Sequence, residues 1–246
     1  MKQATARRQR AETPRPEDTP TMVRLGRLAP LAGAGFAVLT AAGFSVIGSN
    51  PDSGTPAPEI TSFYTAHHGQ LYLGGILLAY AAILFAVFAA AIWDRIRRTR
   101  RHPVAAGVTL VGTAVATASQ LATATIYFTL GDIGNKPATT PGALQALHIL
   151  GSELSLATAG GVALVLLTVA LAGITTRVFP RWLTWPAVII GILQLVIPVS
   201  FTAFLLFLPW ALAAAIIMTT YPTHGTPARA PQDPAGMLTS HAAANS

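Results

Sequence analysis

A chain of 246 residues that is 52% hydrophobic and only 10% charged, with mean hydropathy +0.53, lacks the polar surface of a soluble domain, in which about a quarter of residues are charged. The net charge of +7 does not by itself point to nucleic acid, because the basic residues lie in short segments between apolar runs, and no nucleic-acid partner is expected. The absence of cysteine excludes disulfides, thiolate zinc sites and thiol catalysis.

Residues 1–27 carry Lys2, Arg7, Arg8, Arg10, Arg15, Arg24 and Arg27 among Pro, Thr and Glu, a composition expected of a disordered basic tail, with Met22 an alternative start. The first apolar run, 28–47, is longer than the roughly 7–15 residues of a signal-peptide core, so it reads as a membrane span. From Ser49 to Gln70 the chain is polar and free of Lys and Arg. Within it Ile60, Phe63, Tyr64 and His67 recur at helical spacing, which predicts an amphipathic helix on the membrane surface leading into a second span, 71–93.

Asp94 to His102 then brings five arginines together, Arg95, Arg97, Arg98, Arg100 and Arg101. Pro103 suits the first turn of a third span, 104–130, and Gly131, Gly134, Pro137 and Pro141 break the chain after it. The 35 residues from Gly142 to Thr176 would form a rod of about 52 Å, so the fourth crossing is expected at 152–176, with 142–149 above the core. After the link RVFPRW, the apolar run Trp182 to Thr219 must fold back, and Ile197 to Ser200 offers the turn. A fifth span, 183–197, and a sixth, 201–219, with a kink at Pro209, follow. Residues 220–246 read as a second disordered tail.

The expected fold is an all-α membrane protein, a six-transmembrane-helix bundle. Alternating six spans places fifteen of the 16 Lys and Arg on one side, Lys136 being the exception, which puts both termini in the cytoplasm of a cell-membrane protein. Anionic headgroups are the expected partners of Arg95, Arg97, Arg98, Arg100 and Arg101, with a membrane-protein partner also open. Trp93, Trp182 and Trp185, beside inner-side arginines, fit interfacial anchors.

Glu59, Phe63-Tyr64, His67 and Gln70-Leu71 before a span that ends in a basic loop, together with VFPRWLTW at Val178 to Trp185, resemble uncharacterised polytopic integral membrane proteins of high-GC bacteria. The resemblance covers Arg24 to Thr219. It implies a membrane-embedded helical fold, and neither an activity nor site residues.

Candidate polar positions are few. Glu153, the one acid in a predicted helical span, is either a relay or ion ligand, or a carboxyl bonded to a neighbouring helix; Ala157 and Gly160 on its face predict close helix packing there. His148 lies about 140° round the helix from Glu153, off the spacing for a metal pair, though His67, His68, Tyr127, Asp132, His148 and Glu153 all fall near the outer surface, where a multi-helix metal or proton site competes with ordinary interfacial polarity. Gln120 sits mid-span among Thr113, Thr117, Thr123 and Thr125, with Ala114, Ala118 and Ala122 every four residues, so it marks either a solute path or helix packing. Gln194 presents the same choice. No HExxH, GxSxG or phosphate-loop motif occurs, and no cofactor is expected. The leading expectation is a non-enzymatic component that interacts or senses. A small-solute or ion transporter through Gln120 and Glu153 comes second, and a membrane enzyme third. A cavity lined by both residues would favour transport, and a dry bundle would favour interaction.

Overall fold

The computed structural model describes residues 28–52, 54–99, 101–133, 136 and 140–220. The tail expected over 1–27, all but Thr220 of the tail expected over 220–246, and Arg100 lie outside the described residues. Among these residues the chain is all-helical: α1 (Ala32–Ile47, entered through a 3-10 turn at Ala29–Leu31), α2 (Ala57–Arg98), α3 (Pro103–Ile133), α4 (Pro141–Thr176), α5 (Arg181–Gln194) and α6 (Ser200–Thr220). Prolines in the first turns of α2, α3 and α4 set these starts, where a missing N–H costs nothing.

Five helical segments are long and apolar enough to cross a membrane: α1 with its entry turn, α2, α3, α4, and α6 with the 3-10 turn Ile197–Val199 before it. The fifth expected span is not among them. α5 has 14 residues, a rise of about 21 Å against a hydrocarbon core of roughly 30 Å. It stops because Leu195 and Val196 donate their N–H groups to Ile192 and Leu193, tightening the backbone ahead of Pro198. The hairpin tip that results, Leu195 to Phe201, exposes Leu195, Val196, Ile197, Val199 and Phe201, while the Val199 and Ser200 N–H groups bond Val196 and Ile197.

The separate surface helix expected around Ile60 to His67 does not form. α2 runs unbroken for 42 residues, about 63 Å, and Ile60, Tyr64 and Leu71 are buried against α3 and α4 instead of lying on a membrane surface. No proline lies between Glu59 and Leu71, the single Gly69 is carried within the helix, and the face that looked amphipathic has a helical partner to bury it. Because Ile47 at the end of α1 meets Gly74, residues 57–73 rise roughly 25 Å beyond α1 and form a cap with the ends of α3 and α4.

Contacts fix the directions. Gly33 packs on Phe88 and Gly43 on Leu78; Gly75 packs on Ala124 and Phe128, and Gly131 on His68 and Tyr72; Gly112 packs on Gly161, and Gly151 on Ile126. In each pair one number rises as the other falls, so α1, α2, α3 and α4 are successively antiparallel. Gly173 against Thr184 and Gly191 against Leu167 continue the pattern into α5. Trp210, whose indole N–H donates to the Leu183 carbonyl at 2.9 Å, joins α5 to α6. α6 closes the ring on α1 through Phe36 with Phe207 (5.6 Å) and Phe44 with Phe201 (6.0 Å), again antiparallel.

The face that packs α3 on α4 is not the expected one. Ala114 and Ala118 are exposed, and Gly160 has open space beside it; the close approach runs through Gly112, Ala116 and Gly161, with the Thr109 and Thr168 hydroxyls 2.8 Å apart. A four-residue alanine repeat marks a small-residue stripe, but the glycines one row round bring the backbones closer. Thr113 and Thr125 spend their hydroxyls on carbonyls of their own helix. The core proper is aromatic, with Phe36, Phe85 and Phe207 from α1, α2 and α6 mutually 5.3 to 6.1 Å apart. Each such pair adds about 0.5–1.5 kcal/mol beyond its burial. α6 runs through Pro209 without a break in the helix.

Outside, the bundle presents Val38, Tyr80, Ile83, Val104, Val111 and Ile189, an apolar exterior suited to lipid. Trp182 and Trp185 are 60% and 59% exposed at the start of α5. Arg97 and Arg98 pair with Asp94, Arg97 also covers Trp93, and Arg95 lies over the Phe179 ring. Arg177 caps α4 in the left-handed conformation at φ 55°, which costs a non-glycine residue about 1 kcal/mol.

Candidate functional site: a polar pocket in the outer cap

Gly48, at φ 72°, turns the chain off the end of α1, with its N–H on the Phe44 carbonyl, and sends the α1–α2 loop across the cap. There Asn50 Nδ2 donates to the Tyr127 hydroxyl at 2.7 Å, fastening the loop to α3. Beneath it the Tyr64 hydroxyl lies 2.6 Å from His148 Nδ1, joining α2 to α4. Asn50, Pro51, Asp52, Tyr64, Tyr127, His148 and Ser152 line a cavity of about 240 Å³, floored by Ile126, Leu130 and Gly151.

Tyr64 is fully buried and His148 is 7% exposed. A buried phenol must place its proton, so the O–H donates to Nδ1 and leaves His148 with its proton on Nε2. That nitrogen is buried without a partner in hydrogen-bond geometry, and so is Asn50 Oδ1. The Pro51 and Asp52 backbones bear on the imidazole from the loop. The cavity thus has the unpartnered Asn50 Oδ1 and the His148 imidazole, which the Pro51 and Asp52 backbones face, on its lining, with room for more than one water or a small polar molecule.

The other expected positions lie apart from it. His67 stacks on Phe63 (4.4 Å) with Nδ1 at the Phe63 carbonyl, and His68 is exposed with Nδ1 at the Thr65 carbonyl. Glu153 is exposed and does not line the pocket; Gln120 is buried between helices and lines neither this cavity nor the one at the opposite end. Among the described residues no three His, Asp or Glu side chains converge as a metal site would require. Gln194 is buried with both amide atoms unpartnered near the α5 tip.

Sequence reasoning singled out His148 and placed Tyr127 near the same surface, but did not find the roles of Tyr64 and Asn50. For Tyr64 a signal was there: it lies on the same face as Ile60 and Leu71, and a tyrosine on a buried face needs a partner for its hydroxyl. For Asn50 none existed, because its partner is set by the path of the loop.

Fold and site together define, among the described residues, an all-helical bundle with five helices long and apolar enough to cross a membrane and a small polar pocket in a cap at one end. Compared with protein-family models, curated proteins and solved structures, the chain matches none.

Proposed function

We propose that the chain is a multi-pass cell-membrane protein that acts by binding or sensing at its outer cap and through contacts with other membrane components, rather than by conduction or catalysis. In this reading α5 and its tip complete a sixth crossing. Antiparallel packing of α6 on α1 supports it, since it returns the end of α6 to the side where α1 begins, with Arg95, Arg97, Arg98, Arg101, Arg177 and Arg181. That side is the cytoplasm by the positive-inside rule, both termini are on it, and the arginines of the cluster meet anionic headgroups. The kinship drawn from the FPRWL-type loop, with polytopic proteins of high-GC bacteria, is in keeping with this reading and adds no activity to it.

The observation that carries the choice against conduction is the separation of Gln120 from Glu153. One is buried among helices and the other exposed at the rim, and neither of the two cavities is lined by either. Between α3 and α4, which contribute to both cavities, stands the close Gly112–Gly161 backbone contact. Proteoliposomes containing the chain should therefore pass sodium, potassium and glycerol no faster than empty liposomes. A saturable flux that Gln120→Leu abolishes would overturn the reading. In the complementary experiment a photo-crosslinking residue at Asp52 should yield discrete adducts in native membranes, and one at Val111, facing lipid, should not.

A further inference from the structure

At the opposite end of the bundle, Val104, Ala105 and Val108 of α3 face Leu164, Leu167 and Leu171 of α4 across an open groove of about 400 Å³. The groove opens on the exterior, where Val104 is 77% exposed, and in a bilayer such a surface meets acyl chains rather than water. Its end is basic. Arg101 and His102 line it, and His102 Nε2 lies 2.8 Å from the Thr175 hydroxyl. That hydroxyl donates to the Leu171 carbonyl at 2.6 Å, so it accepts from His102, and the contact clamps the α2–α3 link to the end of α4. Two residues on stands Arg177, exposed and held in a left-handed conformation that glycine would adopt freely.

The charges at this mouth differ from the rest of the cluster. Arg97 and Arg98 share one carboxylate, Asp94, and Arg95 is laid over Phe179, whereas Arg101 and Arg177 form no ion pair among the described residues, and no acid lines the groove. An apolar channel with the exposed Arg101 at its end, and Arg177 two residues past the Thr175 that His102 holds, is complementary to one kind of molecule, an acyl chain carrying a negative headgroup. We propose that the α3–α4 groove is a binding site for an anionic glycerophospholipid, its chain against Val104, Val108 and Leu164 and its phosphate between Arg101 and Arg177. This rests on the membrane reading above, and it adds a specific lipid and a specific seat.

The full chain, purified in a mild detergent, is to be examined by native mass spectrometry with phosphatidylglycerol and phosphatidylcholine of identical chains, and with free glycerol phosphate as a third arm. Phosphatidylglycerol should be retained in preference. Arg101→Gln with Arg177→Gln should weaken that retention on the order of thirtyfold, bringing it to the level of phosphatidylcholine. Val108→Trp should displace both lipids by filling the groove, with thermal melting of each variant as the check on folding. Equal retention of the two lipids, undiminished phosphatidylglycerol on the double variant, competition by free glycerol phosphate as strong as by the lipid, or a lipid-free dimer in which a second copy covers the groove would each overturn the proposal. Resistance of the chain to alkaline extraction from membranes judges the membrane reading separately, so an integral protein with no lipid preference would sink the site alone.

Discussion

At the scale of single residues the Tyr64–His148 pair is the most exacting arrangement in the molecule, since each side chain is buried and each depends on the other. Tyr64→Phe should lower stability in detergent by about 1 kcal/mol, read from thermal unfolding, because it strands His148 Nδ1 without a donor. Asn50→Ala should leave the melting point nearly unchanged while amide exchange speeds up across residues 48–56, whose clasp to Tyr127 is lost. His148 was conspicuous in the sequence as a lone imidazole in an apolar stretch, but its partner is 84 residues away, and no periodicity can report a contact between α2 and α4. Glu153 was conspicuous for the same reason and is exposed, outside the pocket, because the face of α4 that carries it has no helix packed on it.

At the scale of elements, helix positions were legible because apolar length and proline punctuation are local properties, and α3 and α4 begin at the prolines that mark them. Which face meets which neighbour was not legible. The repeat Ala114, Ala118, Ala122 looked like an interface, yet Ala114 and Ala118 face outward while Gly161 sits so close to Ala116 and Gly112 that an added Cβ would come within 2.5 to 2.8 Å of their atoms. Paired substitutions separate the two faces. Ala118→Leu should change stability by no more than about 0.5 kcal/mol, as surface replacements usually do, while Gly161→Leu should cost about 1–3 kcal/mol or prevent α3 and α4 from docking. Equal tolerance at both sites in a thermal-shift series would refute the assigned interface. The fusion of the expected surface helix with α2 has the same origin: an apolar face at helical spacing says that something covers it, and membrane and protein leave the same pattern.

At the scale of the whole molecule, orientation rests on charge and direction together. The native chain has no cysteine, so single replacements report without background. In intact cells Asp52→Cys should react with a membrane-impermeant maleimide and Thr99→Cys should not, and the reverse result would invert the molecule. The short α5 and the tip that follows it bear on how such a molecule is made. From Leu183 to Thr220 the α5–α6 hairpin contains no charged side chain, and the Leu195, Val196, Val199 and Ser200 N–H groups at its bend all bond carbonyls of the bend or of the last turn of α5. A loop of that kind has no ion to dehydrate and little exposed amide to bury on entering oil. Under the six-span reading proposed above, the last two helices are therefore equipped for biogenesis as one unit, slipping into the bilayer from the side that holds both their ends, with no charge to be carried across and the Gln194 amide as the main polar load.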